Sequence, residues 1–263
     1  MEAPHRSSYT FDDLRDKVVL ITGASSGIGA AAAMAFGGCG ARVAVHYRNA
    51  RAEATDLVAR IKEVGGDAEA FHAEATDTAS LDRLSADTVT RFGRIDILVN
   101  NVGGFVRRVP LAEASDAIID EVFHQNARSM IVLGRSVIPL MRSQGGGSII
   151  NVTSQAARSG GSTGAGVYAS TKGFVSTYTR SLARELCLDG IRVNAVSPGV
   201  IDTPIHREHT SPALLETLRA GIPMQRLGRA DECAGTFLFL ASENLSSYIT
   251  GQIIEVNGGS VMP

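Results

Sequence analysis

The sequence predicts an α/β fold, a doubly wound parallel sheet of seven strands with helices on both faces. Three observations predict it. Short β-branched runs alternate with helical stretches along nearly the whole chain. These runs are apolar at successive positions, as expected for strands buried on both faces. The first run ends in a glycine-rich turn, Thr22-Gly-Ala-Ser-Ser-Gly-Ile-Gly29, that opens directly into an Ala-rich helix.

The elements follow in order. Lys17–Thr22 is the first strand, and Ile28–Phe36 a helix stopped by Gly37-Gly38. Arg42–His46 is the second strand, and Ala52–Val64 a helix ended by Gly65-Gly66. Ala68–Ala73 is the third strand, Ser80–Phe92 the third helix and Ile95–Asn100 the fourth strand. One long helix runs from about Asp116 to Gln144, with Ser115 as its N-cap. Gly147–Val152 is strand five, Gly166–Cys187 a helix and Ile191–Val196 strand six. A polar loop carries a short helix at Pro212–Ala220; Asp231–Leu240 is the last helix and Gln252–Val256 the last strand. No internal boundary, repeat or linker interrupts this series. Residues 1–16 read as a loosely ordered tail, 17–259 as one domain with a substrate loop near 204–223, and 260–263 as the end of the chain.

At 263 residues one domain can bury a core without staples. A formal net charge of −2 gives no attraction to nucleic acid or an anionic membrane. Cys39, Cys187 and Cys233 are odd in number and scattered, which argues against disulfides. No Cys/His cluster suggests a metal, and His46, His206 and His209 lack ligand spacing. The N-terminal stretch lacks a signal-peptide core, and no apolar run approaches the ~18 residues of a membrane span. The expected setting is cytoplasmic, with no nucleic-acid or membrane partner.

Two sites carry chemistry. In the glycine turn, Gly23, Gly27 and Gly29 let the backbone approach a pyrophosphate, with Ser25, Ser26 and Ile28 around it and the helix N-terminus facing its charge. About 20 residues on, an NAD enzyme would place a carboxylate for the ribose hydroxyls. Here stand Tyr47 and Arg48, and a guanidinium suits a 2′-phosphate, so NADP(H) is expected over NAD(H). Downstream, Tyr168 and Lys172 lie one helical turn apart on one face. An adjacent ammonium should lower the phenol pKa from about 10 and make it a usable acid and base. Strand alternation lets only one of Thr153 and Ser154 face this site.

With these pieces in place, the chain from about Lys17 to Gly259 resembles a single-domain short-chain dehydrogenase/reductase with a Rossmann-like fold. The motifs are Thr22-Gly23 to Gly29, Asn100-Asn101-Val102-Gly103, Asn126, Ser154, Tyr168-x-x-x-Lys172 and Pro198-Gly199. The resemblance implies hydride transfer between NADP(H) and a ketone or secondary alcohol, with Tyr168 as general acid/base. Ser154 would hold the substrate oxygen, Lys172 the nicotinamide ribose, and Asn126 a proton-relaying water. Asn100 would brace the sheet, Asn101, Val102 and Gly103 would line the cofactor, and Pro198, Gly199, Ile201 and Thr203 would hold its carboxamide. Glu74, where the family has Asp, and Ala75 would lie by the adenine.

Phe105, Gln155 and His206 are the substrate-side candidates, within walls expected from Gly104–Pro110, Gln155–Val167 and Pro204–Pro223. A 3-oxoacyl carrier-protein reductase is the alternative activity, although Val132 and Asp189 stand where such enzymes carry docking arginines. A non-catalytic nucleotide sensor is another alternative, against which the retained Tyr168 and Lys172 argue, and an epimerase or dehydratase on the same scaffold is a third, against which the length of 263 residues argues. The resemblance also implies a homotetramer, with Phe123, Ile131, Phe174 and Tyr178 in one seam and the last strand with Asn257-Gly258-Gly259 in another.

Overall fold

A computed structural model describes residues 10–263. Seven parallel strands form one sheet: β1 (Val18–Ile21), β2 (Arg42–Tyr47), β3 (Asp67–His72), β4 (Ile97–Asn100), β5 (Gly147–Val152), β6 (Ile191–Pro198) and β7 (Ile253–Val256). Their order is β3-β2-β1-β4-β5-β6-β7, so the chain winds outward from β1 one way, then crosses back and winds the other way. The register pairs Val18–Ile21 with Arg42–Val45 on one side, and Val19–Ile21 with Ile97–Val99 on the other.

Alternation along the strands splits the core in two. Val19 and Ile21 face α1 (Gly27–Gly38), α2 (Arg51–Glu63) and α10 (Asp231–Ala241), and bury with Phe36, Ile61 and Phe237. Val18, Leu20 and Leu98 face α3 (Thr78–Phe92), α5 (Ser129–Ser143) and α7 (Gly166–Leu186), with Leu84, Leu133, Met141 and Leu186. Each such side chain contributes about 1.5–3 kcal/mol by leaving water.

The expected alternation is present, with changed ends. Helix α1 runs through Gly37 and Gly38, because the bare Gly37 backbone packs on Ile61 where a methyl would collide. The expected strand Ile95–Asn100 starts only at Ile97, since the Asp96 carboxylate accepts the Val18 amide at 2.9 Å. Helix α3 begins at Thr78, capped by Asp77, whose carboxylate accepts the Ser80 amide at 2.9 Å.

The long helix is not uniform. It runs as α4 (Asp116–Phe123), a π-type turn His124–Arg128 and then α5. Short helices α6 (Ala156–Ser159), α8 (Pro204–His209) and α11 (Glu243–Ser246) were not expected from the sequence; α9 (Pro212–Ala220) was.

Residues 1–9 of the expected tail lie outside the described residues. The rest of it is docked: Asp12–Leu14 forms a 3-10 turn with Leu14 buried, and the Asp13 carboxylate accepts the Glu243 amide at 2.7 Å. Among the described residues no helix is long and apolar enough to cross a membrane, and no group of side chains could hold a metal ion.

Candidate active site

A cavity of about 470 Å³ opens at the C-terminal ends of the strands, where parallel α/β sheets hold their ligands. The glycine turn after β1, the loop after β4 and the ends of β5 and β6 form its floor. Helices α7 and α8 and the loop before α7 close it.

The dinucleotide half is built by close backbone approach. Thr22 Oγ1 accepts the amides of Asn101 and Val102, at 2.9 and 3.0 Å, and ties the turn after β4 to the glycine turn. Asn101 Nδ2 donates to the Thr22 and Gly23 carbonyls at 2.9 and 3.0 Å. Gly29 sits beneath this knot, where any Cβ would strike the Gly23 carbonyl and Asn101. Ser26, the N-cap of α1, makes no side-chain bond to its own helix, and no acidic residue occupies the first turn. The first amides of α1 therefore face the cavity at a positive helix end, an arrangement that fits a pyrophosphate.

His46, which the sequence showed only to lack metal-ligand spacing, braces the glycine turn. Its ring accepts the Gly23 amide at 2.9 Å and reaches the Ala73 carbonyl at 3.1 Å, joining the ends of β1, β2 and β3. Burial lowers its pKa, so the ring stays neutral. A polar residue inside an otherwise apolar strand was the available signal.

Beyond it, Arg48 is exposed and lines the cavity. Tyr47 departs from expectation: it is buried in the core and meets His72 edge-on at 5.6 Å, because alternation turns it away from its neighbour. Glu74 lines the cavity, but its carboxylate holds the Thr76 amide and hydroxyl at 3.1 and 3.0 Å. Ala75 lies beside it.

In the reacting half, Ser154 and Tyr168 both line the cavity, and Ser154 Oγ accepts the Ala156 amide at 3.1 Å. Thr153 also borders the cavity, but its hydroxyl donates to the Lys172 carbonyl at 2.8 Å and so faces α7. Lys172 is 2% exposed and gives one hydrogen bond, Nζ to the Val152 carbonyl at 2.9 Å. An ammonium carries three donors, so the remaining two suit hydroxyl acceptors in the cavity. Burial pushes its pKa down to about 8.

The direction at Tyr168 reverses the sequence expectation. Burial raises the phenol pKa, opposed by the Ser154 hydroxyl and the Arg108 charge. Lys172 Nζ stands 5.7 Å from the ring centroid and is not among the groups that lower it. Desolvation of a phenolate outweighs them.

Asn126 is fully buried in the π-type turn, behind the cavity wall. Its Oδ1 accepts the Gly104 amide at 2.9 Å, and its Nδ2 donates to the Gly104 and Val122 carbonyls, each at 2.9 Å. Its amide thus holds the turn after β4. A Cβ on Gly103 would lie 2.7 Å from both Asn126 Oδ1 and Lys172 Nζ, so only glycine lets these groups converge.

Asn100, buried at the end of β4, donates to Asn151 Oδ1 at 2.9 Å and braces β4 on β5. Pro198, Gly199, Ile201 and Thr203 line the cavity; Thr203 also begins α8. Of the substrate candidates, Phe105 and His206 line the cavity. The Phe105 ring packs 4.5 Å from Tyr168 and 6.1 Å from His206. Gln155 does not line it; its side-chain oxygen is buried without a partner among the described residues.

Residues 23–261 match a family model described as enoyl-(acyl carrier protein) reductase. The chain is 38% identical to a 3-oxoacyl-[acyl-carrier-protein] reductase of Synechocystis, over 95% of this chain and 98% of that one. It is 37% identical to NADPH-dependent aldehyde reductase 1, chloroplastic, of Arabidopsis thaliana, over 95% and 88%. Among solved structures, the NADH-dependent reductase A1-R′ responsible for alginate metabolism matches with a TM-score of 0.89 at 38% identity, covering 96% of this chain and all (100%) of that one. Fold, cavity and relatives agree: the chain belongs to the short-chain dehydrogenase/reductase family and is an NAD(P)-dependent oxidoreductase of carbonyl and alcohol groups.

Proposed function

We propose that the chain interconverts a ketone and a secondary alcohol, with NADP(H) preferred over NAD(H). The observation that carries this reading is that Ser154, Tyr168 and the buried Lys172 ammonium line one cavity. The nicotinamide, when bound, supplies or accepts the hydride. Tyr168 gives its phenolic proton to the carbonyl oxygen in reduction and takes it back in oxidation. Ser154 donates a second hydrogen bond to that oxygen, as in a two-donor oxyanion site. Lys172 holds ribose hydroxyls through its two remaining N–H groups. Asn126 fixes the turn that carries Gly103, and it is also the residue expected to hold a relaying water.

The preference for NADP(H) rests on Arg48, an exposed cation where an NAD enzyme needs a carboxylate. The relatives' names point both ways, one NADPH-dependent and one NADH-dependent. Reduction of a 3-oxoacyl thioester is the second reading, favoured by the Synechocystis relative. Against carrier docking, Val132 is buried and Asp189 is paired with Arg142 at 2.7 Å. A homotetramer fits the exposure of Phe123 and Ile131, beside the stacked Phe174 and Tyr178 rings.

The test follows NADPH oxidation at 340 nm against ketones, 3-oxoacyl thioesters, sugars and steroids, in wild type and Tyr168→Phe. Wild type should turn over at least one ketone, and the variant should lose roughly 10²–10⁴-fold in rate while still binding cofactor. Equal rates in the two proteins would remove Tyr168 from the reaction.

A further inference from the structure

Arg108 stands on the loop after β4, half-buried, next to the exposed Arg107. Its guanidinium carbon lies 3.9 Å from the Phe105 ring centroid, and Phe105 in turn packs on Tyr168. Nε donates to the His209 carbonyl at 2.8 Å, Nη1 to the Ser162 hydroxyl at 2.8 Å and Nη2 to the Thr210 hydroxyl at 3.3 Å. All three acceptors are neutral. Arg91, Arg142, Arg158 and Arg192 each meet a carboxylate. Among the described residues Arg108 meets none.

Withdrawing an unpaired cation from water is costly, and the arrangement asks for an anion. Its neighbours Phe105, Ser162 and His206 all line the cavity. The charge is also felt there: it adds to the burial that lowers the His206 pKa, and it pulls Tyr168 down against burial.

We propose that Arg108 is a specificity-determining residue that selects carbonyl substrates bearing a carboxylate, with the anion reaching the guanidinium beside Ser162. A carboxylate meets the planar fork with two parallel N–H···O bonds between opposite charges, where each hydroxyl it would displace is a single neutral acceptor. One aromatic ring separates the guanidinium from Tyr168. The carboxylate and the reduced carbonyl are therefore joined by a short carbon chain, and the substrate class is an oxo acid. This inference deepens the reductase reading and rests on it for the kinetics.

The kinetic test compares kcat/KM for levulinate and 5-oxohexanoate with that for their methyl esters, in wild type, Arg108→Met and Arg108→Lys. The acid-to-ester ratio should fall roughly tenfold to a hundredfold in R108M and be largely kept in R108K. An unchanged ratio in R108M, including a parallel loss for acids and esters, would overturn the proposal and leave Arg108 a clamp between loops. Binding by calorimetry is independent of turnover. The full chain should bind benzoate in preference to benzamide, and R108M should lose that preference. An equal affinity of the wild-type chain for the two would overturn the proposal, even if the chain reduces neutral ketones. Lost benzoate preference in R108M would support it, even if no ketone in the panel is reduced.

Discussion

The ring of His46 accepts the Gly23 amide on Nδ1 at 2.9 Å, which leaves its proton on Nε2 for the Ala73 carbonyl. Protonating Nδ1 would set two donors against each other. The folded ring accordingly has a lowered pKa, with burial as the main cause. In the unfolded chain it titrates near 6.5.

The sign follows from linkage. Below about pH 6.5 the unfolded chain takes up a proton that the folded chain refuses, so stability falls as pH falls. The contribution is fully present above the unfolded value and is lost towards the folded one. Urea unfolding from pH 7 to pH 5 should show a slope shallower by up to about 1.4 kcal/mol per pH unit in His46→Leu than in wild type. Identical slopes would show that the ring titrates freely in the fold.

Lys172 has a pKa lowered to about 8 by burial. The unfolded value is about 10.4. As pH falls from about 10.4 to 8, the unfolded chain gains this proton first and the native state loses stability; below 8 the difference is constant. A side-chain NMR titration should show one lysine signal with a midpoint near 8, absent in Lys172→Met. A midpoint near that of the exposed lysines would contradict the enclosed ammonium.

Replacing Arg48 with alanine should raise the KM for NADPH roughly tenfold to a hundredfold, and that for NADH much less. Steady-state kinetics with both cofactors measure this. Equal losses would end the argument for phosphate recognition at this position.

Asn126→Ala leaves both backbone groups of Gly104 without their partner. Denaturant unfolding should register a loss of about 1–3 kcal/mol. An unchanged midpoint would mean that the π-type turn holds the loop without this amide.

Much of this was legible in the sequence because the signals were local. Apolar runs such as Val18–Ile21, closed by a glycine-rich turn, marked the strands, and the spacing of Tyr168 and Lys172 placed two groups in one cavity. Ser154 was chosen over Thr153 through the family resemblance, because alternation by itself says only that the two diverge. The π-type turn escaped because a search at 3.6 residues per turn assumes a regular helix. Helix α8 escaped too, although Pro204 directly after Thr203 is a helix-start signal. Tyr47 was misplaced because its facing depends on where the strand ends. The field at Tyr168 was misjudged because pattern reading counts neighbours and not the loss of water around them.

The cavity's floor is made of strand ends and the turns that leave them, while its roof comes from the loop before α7 and the segment around α8. Chemistry and selectivity are thus carried by separable pieces of chain. Exchanging the roof segments for those of another member of the fold would change what is admitted, while Ser154 after β5 and Tyr168 and Lys172 on α7 keep the reacting geometry. Such swaps offer a route to redesigned reductases that leaves the core untouched.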